Sequence, residues 1–247
     1  MKFAHRYALL PAILLGALAG CASVVDNQAE QIILRELPAL VGPAQSYRVK
    51  AVGASSSSGQ LQAVDINGKR IARAGAPVLD SAEVSLRDVR FDRAEKRVES
   101  IGAADAVVRI LPNDVSTFLL SRRGVSDVTT QFAGTNEMSI TARPSMSGLP
   151  LPAAARVKLT GNLVPDGPRL NFKVTRLSAA GVELGTLPQS VLEAAINPIV
   201  DLSKLPAPAQ ISTVRVENTA LVIQANGVAA VSTSASGTAD GRAAVSR

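Results

Sequence analysis

Apolar side chains recur at spacings of three and four from Val25 to Val41 (Val25, Ala29, Ile32, Ile33, Leu37, Leu40, Val41). That is the 3.6-residue period of an amphipathic helix. Asn27 followed by Glu30 suits a capping box at its start, and Gly42-Pro43 suits its end. From Ser46 the period changes to 2. Tyr47, Val49 and Ala51 alternate with Arg48 and Lys50, and after the Ser55–Gly59 turn Leu61 to Ile66 resumes the extended pattern. Asn67-Gly68 is a strong hairpin signal and predicts that the chain returns through Lys69 to Arg73. Ala82 to Phe91 follows as a strand whose apolar phase slips near Asp88, which predicts a bulge there.

Ala103 to Leu111 is a further strand. Pro112-Asn113-Asp114 then opens a short helix bearing Val115, Phe118 and Leu119, closed by Arg122, Arg123 and Gly124. The second half repeats the order: strands at Val125–Phe132 and Glu137–Arg143, then Arg156–Leu163 with Val157, Leu159 and Leu163 on one face. A Pro165-Asp166-Gly167 turn leads to Leu170, Phe172 and Val174. Thr186-Leu187-Pro188-Gln189 opens a second amphipathic helix with the stripe Val191, Leu192, Ala195, Ile196 and Ile199, kinked or ended by Pro198. After Leu205-Pro206-Ala207-Pro208, two last strands lie at Ile211–Val216 and Ala220–Gln224. From Gly227 the Ala/Ser/Gly/Thr-rich tail has no period, and disorder is expected there.

One-sided strands of this kind belong to antiparallel sheet. Helix, strands, short helix, strands, longer helix make the fold class α+β. Three short helices cannot cover both faces of so much sheet, so a long, strongly curved antiparallel sheet wrapped around the amphipathic helices is expected. An inner face rich in Ala, Val and Gly leaves space unfilled. An apolar cavity is expected to follow, although a fully packed sheet–helix core shows the same periodicity.

The N-terminus fixes the expected compartment. Lys2, His5 and Arg6 precede an apolar run from Ala8 to Leu18, then Ala19-Gly20-Cys21. This is the layout of a secretory signal, its apolar run well short of the ~20 residues that span a bilayer. Leu18-Ala19-Gly20-Cys21 is similar to a bacterial lipobox, in which lipid joins the thiol and the chain is cut just before it. The domain expectation is a signal at 1–20, a lipidated tether at 21–26, one lipid-binding domain at 27–226 and the tail at 227–247. Ala22 is not the aspartate associated with inner-membrane retention, so a Gram-negative source implies the outer membrane, facing the periplasm.

Composition then narrows the chemistry. The single histidine, His5, is expected to leave with the signal and the single cysteine, Cys21, to be lipidated. Ser-His-Asp and Cys-His catalysis and ordinary zinc sites are thereby excluded from the mature chain. No GxG loop and no SxxK spacing is present. The acidic residues are scattered beside arginines, so a carboxylate hydrolase has no candidate pair and a non-enzymatic protein without metal or cofactor is expected. Arg87, Arg90, Arg93 and Arg97 interleave with Asp88, Asp92, Glu95 and Glu99, which reads as a solvated hairpin rather than a phosphate stripe. The formal charge of +6 fits anionic headgroups as well as a solvated surface. Few aromatics and export both argue against nucleic acid.

Three stretches carry a resemblance. They are Ala106-Val107-Val108-Arg109-Ile110-Leu111-Pro112-Asn113-Asp114-Val115, the paired strands from Val157 to Val174, and the run Leu187-Pro188, Ile196-Asn197-Pro198-Ile199-Val200-Asp201-Leu202, Leu205-Pro206. In these the chain resembles the LmeA-type phospholipid-binding family of bacterial envelope proteins, over roughly Ala29 to Gly227. The resemblance implies a fold similar to the tubular lipid-binding proteins, and phospholipid binding without turnover. It supplies no polar residues to carry over.

Amphipathicity alone nominates the groove residues: Ile32, Ile33, Leu37 and Leu40 of the first helix, Val115, Phe118 and Leu119 of the second, Val157, Leu159 and Phe172 of the strands, and Leu192, Ile196 and Ile199 near the last helix. Cys21 is the expected lipidation site and membrane anchor, the alternative being an ordinary cleavable signal with an accidental cysteine. The expected function is a membrane-anchored lipoprotein that holds phospholipid acyl chains, in lipid transfer or maintenance. The alternative is an assembly lipoprotein of the envelope that binds a protein partner by a sheet edge or through its tail.

Overall fold

The computed structural model describes residues 16–55, 59–92, 97–122, 125–144, 156–179, 182–183, 189–203, 205 and 209–227. The expected signal start, the Arg123-Gly124 helix stop, Arg93, the Thr186–Pro188 part of the second capping box and nearly all of the tail lie outside these residues. The described chain is α+β and its strand pairings are antiparallel.

Helix α1 (Gly16–Leu40) is followed by β1 (Ser46–Val52), β2 (Gln60–Ile71), β3 (Leu79–Asp92), β4 (Arg97–Ser100) and β5 (Ala103–Ile110). Helix α2 (Pro112–Leu120) leads to β6 (Val125–Ala133), β7 (Glu137–Pro144), β8 (Val157–Asp166), β9 (Arg169–Ala179) and β10 (Val182–Glu183). Helix α3 (Gln189–Ile196), β11 (Val200–Asp201), β12 (Gln210–Glu217) and β13 (Ala220–Gly227) complete the order. Where one continuous sheet was expected, the strands divide into two. The first runs β1-β2-β3-β5-β13-β12 with β4 beside β3; the second runs β10-β9-β8-β7-β6 with β11 beside β9.

The division follows from α2, which carries the chain out of β5 and into β6. The edge strand β12 rejoins the sheets: the Val216 N–H donates to Thr135 O at 2.6 Å and the Ile211 N–H to Gly167 O at 2.9 Å. Turns of the second sheet thus occupy the edge of the first. At the other end of the second sheet, Val182, Ala179, Val157 and Ala142 lie in one register row. Among the described residues, no strand of the first sheet pairs there.

Two apolar cores result. The smaller packs Ala29, Ile33 and Leu37 of α1 against Ala51, Leu61, Val64, Ile66 and Val89. The larger joins α2, α3 and the inner face of the second sheet to Ile110, Ile211, Leu221 and Ile223 of the first. Between them, Asp114 in the first turn of α2 receives both Arg70 guanidinium nitrogens at 2.7 Å. A carboxylate there also complements the helix N-terminus.

Two expectations are corrected, and a third is met in altered form. The first helix starts at Gly16 rather than Val25, so Asn27 and Glu30 lie inside it and form no capping box. Glu30 Oε1 instead accepts the Ala51 N–H at 2.9 Å, and Asp26 Oδ1 the Ala54 N–H at 2.9 Å. Asn67-Gly68 is not a turn: β2 runs straight through it, with Asn67 paired to both Arg48 and Glu83. A Cβ on Gly68 would come within 2.6 Å of Ile71 Cδ1 and 2.9 Å of Tyr47 Cε1, so glycine is needed there for close packing. The irregularity expected near Asp88 is present as a positive φ of 52°, after which Val89 is fully buried.

Candidate functional site

At the end of the second sheet away from β12, α2 and α3 lie over its inner face and leave an apolar cleft. Leu119 comes from α2, and Leu192, Ala195 and Ile196 come from α3. Val125, Val128, Ile140, Ala142, Val157 and Leu159 come from the sheet. Among the described residues, no titratable side chain lines it. Alternation at period 2 puts Val128, Ile140, Ala142, Val157 and Leu159 on one face. Helical spacing turns Leu192 and Ile196 toward them. The cleft holds about 410 Å³ counted out to its open mouth, but the room for a water-sized guest is about 20 Å³. That is close to the minimum for one water. An acyl chain needs α3 to move outward.

Polar contacts hold α3 at its C-terminal half. Glu193 Oε1 accepts the Val174 N–H at 2.8 Å. Asn197 Oδ1 accepts the Phe172 N–H at 2.7 Å, and Asn197 Nδ2 donates to Phe172 O at 2.9 Å. Arg122 donates to Asn197 O at 3.2 Å and Pro198 O at 3.0 Å, with its guanidinium 4.7 Å from the Phe118 ring centroid. A cation on the last carbonyls suits a helix C-terminus. In the first turn of α3, Val191 is 40% exposed. With eight residues, α3 is far shorter than a helix that persists unaided. Its order depends on these contacts.

Of the residues nominated from sequence, Leu119, Val157, Leu159, Leu192 and Ile196 line the cleft. Val115, Phe118, Phe172 and Ile199 belong to the same core but do not line it. Ile33 and Leu37 lie in the other core, Ile32 is half-buried and Leu40 is 44% exposed. The four residues of α1 therefore do not meet the cleft. Sequence nomination missed Val125, Val128, Ile140, Ala142 and Ala195. For the central three, the available signal was the strand alternation Val128-Thr130-Phe132 and Met138-Ile140-Ala142. Cys21 falls in the backbone of α1. Among the described residues, no group of three or more His, Cys, Asp or Glu could hold a metal, and no helix is long and apolar enough to cross a membrane.

The antiparallel α+β scaffold thus carries an uncharged apolar cleft under a short clasped helix. Its family is shown by sequence: the model of the LmeA-like phospholipid-binding family matches residues 16–226. The chain belongs to that family. No curated protein and no solved structure gave a match.

Proposed function

We propose that this protein is a lipid-anchored envelope lipoprotein that holds phospholipid acyl chains, without turnover, between α3 and the second sheet. The observation that carries the reading is the cleft that, among the described residues, is lined by apolar side chains, in a chain of a phospholipid-binding family. Outward movement of α3 turns the cleft into a groove along the sheet, the form of the wrapped, tubular arrangement expected from sequence. Burying acyl methylenes contributes about 0.8 kcal/mol each, enough for a few of them to offset the clasping hydrogen bonds of α3. Acylated Cys21 is the proposed tether. More than one acyl chain is needed for stable anchoring. Outer-membrane attachment on the periplasmic side follows for a Gram-negative source.

The test is organic extraction of the purified protein followed by mass spectrometry, together with uptake of labelled phospholipid. Stoichiometric phospholipid supports the reading; absence of both bound and added lipid ends it. For the tether, the N-terminal peptide carries acyl mass on Cys21, and Cys21→Ser moves the protein out of the membrane fraction. The small enclosed volume favours a second reading, an assembly lipoprotein that binds a protein partner. A chain that takes up no lipid selects it.

A further inference from the structure

We infer that the end of the second sheet away from β12 is a docking face for an anionic lipid bilayer, which places the mouth of the cleft against the membrane. The inference rests on the phospholipid reading above and adds a surface to it. Val182, 66% exposed, sits in the register row that continues through Ala179 and Val157 to Ala142, the last two of which line the cleft. Val191 is 40% exposed one helical turn before the lining residue Ala195. Two elements, β10 and α3, thus each present an exposed apolar side chain on the side of the cleft. Exposed apolar groups around an opening mark an interaction site.

Charge identifies the partner. Arg143 and Arg156 follow and precede the row residues Ala142 and Val157, and both guanidiniums share the single carboxylate of Asp127. Two cations against one anion leave the trio with an excess positive charge. Lys158 stands exposed two positions beyond Arg156. Lipid phosphates supply the acceptors and the opposite charge. Apolar side chains on the inner face and an excess of cations on the outer face of the same sheet end match the headgroup–acyl boundary of an anionic bilayer, while Glu183, beside Val182, is held by Arg176 at 3.2 Å.

The test uses the full chain carrying Cys21→Ser, which removes the only cysteine, with an environment-sensitive fluorophore placed on Val182→Cys or, as a control, on Val164→Cys. Val164 is also exposed but lies near the opposite end of the sheet, beside the Pro165–Gly167 turn. Vesicles of phosphatidylcholine, with or without phosphatidylglycerol, are added. The expected result is a blue shift at Val182→Cys, not at Val164→Cys, only with phosphatidylglycerol. Partitioning weakens on the order of tenfold in Arg143→Gln/Arg156→Gln, and high salt weakens it in the unsubstituted arginine background. Equal shifts at both positions, no shift at Val182→Cys, or indifference to both charge and salt overturns the docking face, even where phospholipid uptake persists. A shift confined to Val182→Cys in a chain that takes up no phospholipid upholds the face and removes the cargo instead.

Discussion

Glu193 Oε1 accepts the Val174 N–H at 2.8 Å, so a helix side chain completes a strand edge. Along the outer edge of β9, β11 pairs at Leu170 and β10 at Ser178 and Ala179. Glu193 and Asn197 cover the gap between them. The same device occurs in the first sheet, where Glu30 and Asp26 of α1 accept N–H groups of Ala51 and Ala54. An unpaired N–H beneath a helix has no water to turn to. In both places the helix is fixed by the need of the sheet as much as by its own apolar stripe.

Removing the acceptor at α3 therefore destabilises the sheet. Glu193→Ala strands the Val174 N–H, and Asn197→Ala strands both polar groups of Phe172; each costs about 1–3 kcal/mol. Glu193→Gln keeps an acceptor and costs less than about 1 kcal/mol. Urea denaturation of the three variants checks the order. Equal losses for Glu193→Gln and Glu193→Ala contradict the edge-capping role.

The Arg70–Asp114 pair ties β2 to the first turn of α2. Asp114 is 8% exposed, whereas the Arg70 side chain is 40% exposed, so solvent screens part of the pair. Hydrogen bonding to Asp114 raises the Arg70 pKa above its ordinary value. A cation raised in this way contributes fully below its unfolded pKa and is lost only at extreme alkalinity. Asp114→Ala is expected to cost about 1–3 kcal/mol, by a similar amount at neutral and at mildly alkaline pH. A loss that changes sharply between those conditions, read by urea denaturation, is inconsistent with Arg70 as the partner.

Strand alternation is legible in this sequence because period 2 survives in any half-buried sheet, and the stripes of α2 and α3 are legible from their 3.6-residue period. Periodicity does not say which apolar face meets which. Ile33 and Leu192 sit on stripes of the same kind, yet Ile33 packs with Ala51 and Val64 of the first sheet and Leu192 with the inner face of the second. The pairing of faces is set by where α2 interrupts the strands, and no local pattern records that.

Gly68 shows the limit of a turn signal, because Asn-Gly reverses a chain only where there is room to turn. Here Tyr47 and Ile71 close over it. Gly68→Ala is expected to cost about 1–3 kcal/mol through overpacking, while Asn67→Ser on the exposed face stays within about 0.5 kcal/mol. Thermal melts of both variants check this. A larger loss at Asn67 restores the turn reading.

Tyr47 gives an alkaline signature. Its hydroxyl donates to Gly42 O at 2.6 Å, and burial raises its pKa above the ordinary 10.0. A raised folded pKa means that the contribution is complete below about pH 10 and is lost as pH rises through the folded value. Urea stability therefore falls above about pH 10 with a slope that Tyr47→Phe lacks. At neutral pH the same variant loses about 0.5–1.5 kcal/mol for the missing hydrogen bond. Parallel slopes for the two proteins sink the assignment.

The cleft makes the last prediction, because filling and widening it act in opposite directions. Ala195 lines the cleft from α3 and is only half-buried, so Ala195→Phe puts a ring where there is room for about one water and occupies the cleft by pushing α3 outward. Labelled phospholipid uptake is expected to fall on the order of tenfold, with stability lowered by about 1–3 kcal/mol through overpacking. Leu192 is 5% exposed on the same wall. Leu192→Ala costs about 2–5 kcal/mol and leaves a cavity, and a lipid that enters it recovers part of that loss as a rise in Tm with added phospholipid. Ala195→Phe shows no such rise. Two variants that respond alike to lipid place the acyl chains elsewhere than under α3.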